Sequence, residues 1–436
     1  MSFSESKQPL TRLNIFSLKG IQMKTFHTTW LMFFVCFFGW FGLAPLMPTI
    51  REDLALTKSQ VGNLIIVSVS TTIIARLVIG RLCDTWGPRK TAIWLLIIGS
   101  IPVFLVGLAK DYTTFLIFRA AIGIIGASFV ITQFHTSMMF ASNIKGTANA
   151  VAGGWGNLGG GITNMVMPII FAAIVGFGYT KGEAWRYAMI VPGVMMLIAA
   201  VLYYKYTKDT PAGNYSEIGK TKGTHAKTDW SVLKDWRVWA LTFAYAMCFG
   251  MEITFDNVAS LHFVDTFHLS QSTAGLWAGV FGAMNIFARA LGGIVSDKTG
   301  QRFGLKGKGT LLAIVLLLEG LGLILFAQAD TLVFAIVSML SFALFLKMAN
   351  GATYGIVPFV NEKNVGLISG IVGAGGNFGG MLFGFLFKSE NITYAEAFTY
   401  IGYIVIAVAA IMFITRFNKV PVRAEEKVLE PEVAMA

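Results

Sequence analysis

Four basic side chains sit inside long apolar stretches: Arg76, Arg119, Arg289 and Lys347. An arginine at the centre of a membrane helix costs about 2.5–3.5 kcal/mol even on the lenient insertion scale, so such a residue normally faces a cavity and meets a partner. Two of the four are related by an internal repeat. Arg76-Leu-Val-Ile-Gly80, followed by Asp84, Gly87 and Arg89, returns 213 residues later as Arg289-Ala-Leu-Gly-Gly293, Asp297, Gly300 and Arg302. Neither arginine has a carboxylate one turn away in its own stretch. Two guanidiniums without a local counter-ion make a site that wants an anion, and their planar five-donor fork suits a planar oxyanion. The competing reading is neutralisation by an acid from another stretch, Glu252 or Asp256 being available. Glu252, Asp256 and Arg119 are also the candidates for proton coupling, because a buried carboxyl can carry a proton. A structural ion pair is the alternative for each.

A second repeat carries glycine. Gly153, Gly154, Gly156, Gly159 and Gly160 surround Asn157, and Gly373, Gly375, Gly376, Gly379 and Gly380 surround Asn377, 220 residues on. Small residues every three or four positions let membrane helices approach closely. Bare backbone also leaves room for a small ligand, to which either Asn amide could donate, and the two readings are compatible. No βαβ context exists for a dinucleotide site.

These residues need a membrane scaffold. Of 436 residues 55% are apolar and 13% charged, against about 25% charged in a soluble domain. Twelve runs of spanning length lie between residues 28 and 415, among them 271–295 and 310–328, separated by a loop at 298–308. The expectation is an all-α membrane protein of twelve transmembrane helices in two pseudo-symmetric six-helix bundles, 28–204 and 238–415. A tail at 1–27, a hydrophilic loop at 205–237 and a tail at 416–436 flank them. Of 34 lysines and arginines, 24 fall on the side of the tails and central loop and six on the other, which places both termini in the cytoplasm. The net charge of +11 is then a topogenic signal, and no nucleic-acid partner is expected. The first apolar run has full spanning length and no small-residue cleavage site, so no cleaved signal peptide is expected. Cys36, Cys83 and Cys248 are scattered and read as free thiols without metal-ligand spacing. No cofactor is implied, and no triad or phosphate loop suggests an enzyme.

The loop holding Gly80, Asp84, Gly87 and Arg89, echoed by Asp297 and Arg302, resembles the signature loop of the major facilitator superfamily. Its glycines suit a tight turn, and the acid suits a helix's positive end. A cytoplasmic gate latch and a purely topological turn are both open readings. Arg119-Ala-Ala-Ile-Gly123-Ile-Ile-Gly126 resembles another pattern of the superfamily. In two parallel repeats the substrate site lies near the midplane between the halves.

The stretch from Gly146 to Gly161 resembles the nitrate signature of the nitrate/nitrite porter family, and Gly373–Gly380 is similar to its second copy. Gly250-Met-Glu252-Ile-Thr-Phe-Asp256-Asn257, Phe287-Ala-Arg289 and Gly351-Ala-Thr-Tyr-Gly-Ile-Val-Pro358 resemble the plant and algal high-affinity nitrate transporters. The resemblance implies import of nitrate, and of nitrite as a further substrate, by alternating access through the plasma or inner membrane. Arg76 and Arg289 would clamp the anion, Asn157 would hydrogen-bond it, and Tyr245, Phe249 and Phe129 would line the site. A monomer is expected. A negative cell interior opposes anion entry by about 2.3 kcal/mol per charge per 100 mV, so accumulation calls for co-moving protons. Nitrate/nitrite exchange, nitrite export and a non-transporting nitrate sensor are the rival expectations. A channel is disfavoured because two fixed arginines hold an anion too tightly for fast conduction.

Overall fold

The computed structural model describes residues 8–141, 144–218, 230–361 and 364–417. Parts of the expected tails (1–7 and 418–436) and of the central loop (219–229) lie outside them. Among the described residues there is no β-strand. Eleven helices are long and apolar enough to cross a bilayer: α1 Gly20–Asp53, α2 Lys58–Trp86, α3 Pro88–Leu108, α4 Tyr112–Met139, α5 Lys145–Gly176, α6 Lys181–Tyr206, α7 Trp236–Phe267, α8 Gln271–Ala327, α9 Leu332–Phe359, α10 Leu367–Lys388 and α11 Tyr394–Ile414. The 57 residues of α8 would measure about 85 Å if straight, nearly three times a bilayer's hydrocarbon core. The backbone breaks at Gly304 (φ 66°, ψ −162°), a conformation that glycine adopts without penalty. The expected runs 271–295 and 310–328 thus fall in the two legs of α8, consistent with twelve spans. The loop expected over 298–308 shrinks to this single break.

Local sequence sets the helix starts. Thr57, Asp111, Thr180, Asp235, Ser270, Thr331 and Thr393 each accept a hydrogen bond from a backbone N–H of the first turn. Gln60, Glu183 and Glu396 complete capping boxes. Six of these caps precede helices that begin on one face of the zigzag, where apolar chain must re-enter the bilayer.

Within the first half α1 packs on α5 and α6, and α2 on α4. In the second, α7 packs on α10, and α8 on α9 and α11. Two seams join the halves, α2 against α10 and α5 against α8. Helices α1 and α7 are buried almost all round. The others turn Ile74, Leu77, Ile198, Leu325, Val333 and Phe385 outward, an apolar surface suited to lipid.

The glycine repeats divide by what faces them. A Cβ on Gly156 would strike the Phe33 ring, one on Gly159 the Phe34 carbonyl and one on Gly379 the Ala246 carbonyl. On Gly375 and Gly380 it would meet Thr242 and Ile253. These positions require close helix approach. Gly161 Cβ would lie 2.5 Å from Gly282 Cα, so the α5–α8 seam closes glycine on glycine. Gly153, Gly373 and Gly376 instead face the side chains of the candidate site.

Candidate functional site

Arg76, on α2, is nine-tenths buried. Its Nη1 donates to the Gly373 carbonyl (3.0 Å). The Asn377 amide oxygen accepts from Nε, Nη1 and Nη2 at 3.1, 2.6 and 3.1 Å. The Phe129 ring lies beneath the guanidinium, 5.2 Å from it. None of these partners is a carboxylate, so Arg76 matches the expectation of a guanidinium without a counter-ion.

Arg289 departs from it. Its Nη2 pairs with Glu252 Oε2 at 3.0 Å. Glu252, one turn beyond Phe249 on α7, also takes Lys347 Nζ (3.1 Å) and the amides of Asn285 (2.6 Å) and Asn350 (2.7 Å). The expectation that Arg289 lacks a counter-ion is therefore corrected: an acid from another helix neutralises it, the alternative the sequence left open. The compensation is partial, because Lys347 shares the same carboxylate. Arg289 Nε has no partner among the described residues, so one edge of the fork is unfilled.

Both guanidiniums lie within electrostatic reach of Tyr245 and Tyr354, and these two rings meet edge-on at 5.0 Å. The two arginines, one from each half, thus stand around one pair of rings. Phe249 stacks on Tyr245 at 5.1 Å and lies 5.8 Å below the Arg289 guanidinium. Gly376 admits the two α7 rings, Gly373 faces the Tyr354 hydroxyl, and Gly153 faces Phe129. Asn157 is buried and donates to the Gly153 carbonyl of its own helix (2.8 Å). The two signature asparagines therefore differ in this conformation, one braced on backbone and the other on Arg76. A cavity of about 200 Å³, lined by Arg289, Asn285, Gly154 and Trp155, reaches in along the α5–α8 seam.

The proton candidates separate. Glu252 is saturated by four donors. Asp256, in the seam beside Gly160, leaves Oδ1 without a partner. Arg119 donates to the Trp40 carbonyl (3.0 Å) and Asn257 Oδ1 (3.2 Å); among the described residues no carboxylate pairs with it. Sequence reasoning passed over Glu319, a fully buried acid on the second leg of α8. It also passed over Asn285, Asn350 and Tyr354. Helical spacing could have found them: Asn285 lies four before Arg289, and Lys347, Asn350 and Tyr354 share one face of α9.

The two faces differ. On the face where α2, α4 and α6 begin, Arg51 on α1 forks onto Asp265 on α7 with two 2.7 Å contacts. Thr49 donates to Gln271 (2.6 Å), the Ser59 N–H to Glu390 (2.8 Å), and Lys58 to the Ile392 carbonyl. Each bond ties one half to the other. On the opposite face the motif loop is organised differently from expectation. Gly80 and Asp84 belong to α2, and Gly87 (φ 90°) makes the turn. The acid at the start of α3 is Asp209, not Asp84: its carboxylate accepts the backbone N–H groups of Arg89 (2.9 Å) and Tyr215 (3.0 Å). Burial pushes this carboxyl above the usual range. Arg89 reaches the Tyr204 carbonyl (2.5 Å). In the repeat, Asp297 holds Lys308 (2.6 Å), while Arg302 lies over Phe303.

Residues 29–384 match the profile of the Major Facilitator Superfamily. The chain is 38% identical to "High affinity nitrate transporter 2.5" of Arabidopsis thaliana, covering 92% of this chain and 81% of that one. It is 38% identical to "Nitrate transporter 2.2" of Chlamydomonas reinhardtii, covering 90% and 79%. With the "Nitrate/nitrite transporter NrtP" of Nostoc punctiforme it shares 28%, over 82% and 85%. Among solved structures, a bacterial homolog of the human lysosomal transporter Spinster superposes with a TM-score of 0.68 at 16% identity, over 89% and 95% of the two chains. The xylose transporter XylE from E. coli gives 0.66 at 14%, over 91% and 97%. The fold, the duplicated arginines and these relatives converge: the chain belongs to the nitrate/nitrite porter family of the major facilitator superfamily, a family of membrane transporters and not of enzymes.

Proposed function

We propose that this protein imports nitrate by alternating access, moving it together with protons, and that Arg76 and Arg289 hold the anion between them. The names of the relatives supply the substrate. The observation in the chain itself that carries the reading is a buried, unfilled guanidinium edge at Arg289 opposite a second arginine without a carboxylate. Buried donors in native structures are satisfied, and a trigonal oxyanion presents paired acceptors in the plane of each fork. Phe129, Phe249 and Tyr245 offer flat faces on either side of a flat ion. Asn377 accepts from Arg76 where the anion would; with its amide turned, it would donate to the anion instead, as would Asn157. Nitrite is the second substrate, favoured by the cyanobacterial relatives' names.

The bundles 28–204 and 238–415 would rock about this site. With both termini cytoplasmic, the face tied by Arg51–Asp265 is the outer one, so this conformation opens inward. Asp84, Arg89, Asp297 and Arg302 belong to the inner latch region. A monomer suffices, since both arginines come from one chain.

Nitrate should raise the melting temperature of the detergent-solubilised protein in a concentration-dependent way, because a ligand that binds only the folded state stabilises it by RT ln(1 + [L]/Kd). At 100 times Kd the gain is about 2.7 kcal/mol. Chloride and sulfate at equal ionic strength should not do so. An equal shift with sulfate would contradict a site built for a planar monovalent anion.

A further inference from the structure

Glu319 stands in the run Leu316-Leu-Leu-Glu-Gly320 on the second leg of α8. It is completely buried, and neither carboxyl oxygen has a hydrogen-bond partner among the described residues. Its surroundings hold no cation of its own. On α7, Cys248 and Glu252 are within electrostatic reach. On α9 the basic group is Lys347, whose Nζ is engaged on Glu252. On α11 the buried face carries Ala397, Phe398, Ile401, Val405 and Val408 and nothing titratable. On its own leg the nearest charge, Lys308, is at the far end and bound to Asp297. An ionised carboxylate here would face Glu252, a second negative charge, without compensation. Asp256 is the weaker candidate: only one of its oxygens is both fully enclosed and without a partner, against two in Glu319, and it lies in the field of Lys347.

We propose that Glu319 is the proton-binding site of the transport cycle, acting on the anion site through Glu252. This rests on the nitrate-transport reading. The step is one proton exchange: an O–H bond forms on a Glu319 oxygen when the outer side is open and breaks when the inner side is. With Glu319 neutral, Arg289 and Lys347 share a single carboxylate, and Arg289 keeps an edge for the anion. With Glu319 ionised, a second negative charge next to Glu252 opposes the arriving anion. Proton and anion therefore strengthen each other's binding, and linkage makes the effect reciprocal.

The test uses purified protein, in detergent and in liposomes. In weakly buffered detergent solution, the wild type should take up protons on nitrate addition, and its nitrate affinity should weaken by about tenfold as the medium turns from acidic to alkaline. Glu319→Gln should bind nitrate with an affinity that no longer follows pH. In liposomes it should retain nitrate–nitrate counterflow and lose accumulation driven by a proton gradient. Glu319→Asp, which keeps a titratable group, should keep proton uptake. The proposal is overturned if the wild type takes up no proton, if Glu319→Gln still accumulates nitrate, or if only Asp256→Asn abolishes coupling. If the wild type shows no nitrate binding or counterflow, the nitrate reading fails first, before any variant is made.

Discussion

Arg289→Lys should remove high-affinity nitrate binding, by about a hundredfold or more, while leaving the protein folded. Two charge-assisted hydrogen bonds at about 1.5–3 kcal/mol each are at stake. An ammonium reaching Glu252 Oε2, where Arg289 Nη2 now sits, has no second edge to present to an anion. The Glu252 pair survives in that variant, so the melting temperature without ligand should change little. Arg76→Lys should lose binding to a similar extent and stability as well. The guanidinium there braces α10 through Gly373 and Asn377, which a lysine cannot do at three positions at once. Nitrate titration and thermal unfolding of both variants separate the roles. Wild-type affinity in either would remove that arginine from the clamp.

Glu252→Ala should destabilise the protein by about 3–5 kcal/mol, the cost of leaving buried charge uncompensated when one partner of a buried pair is removed. Two cations lose their counter-ion at once, since Arg289 and Lys347 both end on Glu252 and all three are buried. The amides of Asn285 and Asn350 lose their acceptor with them. The expected readout is a steep fall in folded protein recovered from membranes. Combining Glu252→Gln with Lys347→Met should restore much of it, because the amide can still accept from Arg289 while the second cation is gone. If Glu252→Ala is as stable as wild type, the carboxylate is not the hub of the second half. A double variant no better than Glu252→Gln alone would contradict the shared-charge account.

The all-α membrane scaffold was readable because hydropathy and repeats act over tens of residues. The paired arginines and both glycine faces follow from such signals, and the expected twelve spans are consistent with the eleven long apolar helices among the described residues. What was not readable depends on which helix faces which. Nothing within one stretch says that Arg289 meets Glu252 from α7 while Arg76 meets an amide from α10; that difference is made by the seams. Asp209 was missed for the same reason: the turn at Gly87 is completed by a carboxylate from 120 residues away, where Asp84 had seemed the local choice. Glu319 was visible as the one acid in its run. Its significance appears only when α7, α9 and α11 close round it without a donor.

The deciding measurement is nitrate uptake into liposomes, with an inward proton gradient and empty vesicles, compared with nitrite-loaded vesicles and no gradient. Gradient-driven accumulation into empty vesicles, with acidification of the lumen, is the predicted result. Uptake that appears only against internal nitrite would make the protein an exchanger and return Glu319 and Asp256 to structural roles. No uptake under either condition would contradict the assignment of nitrate itself.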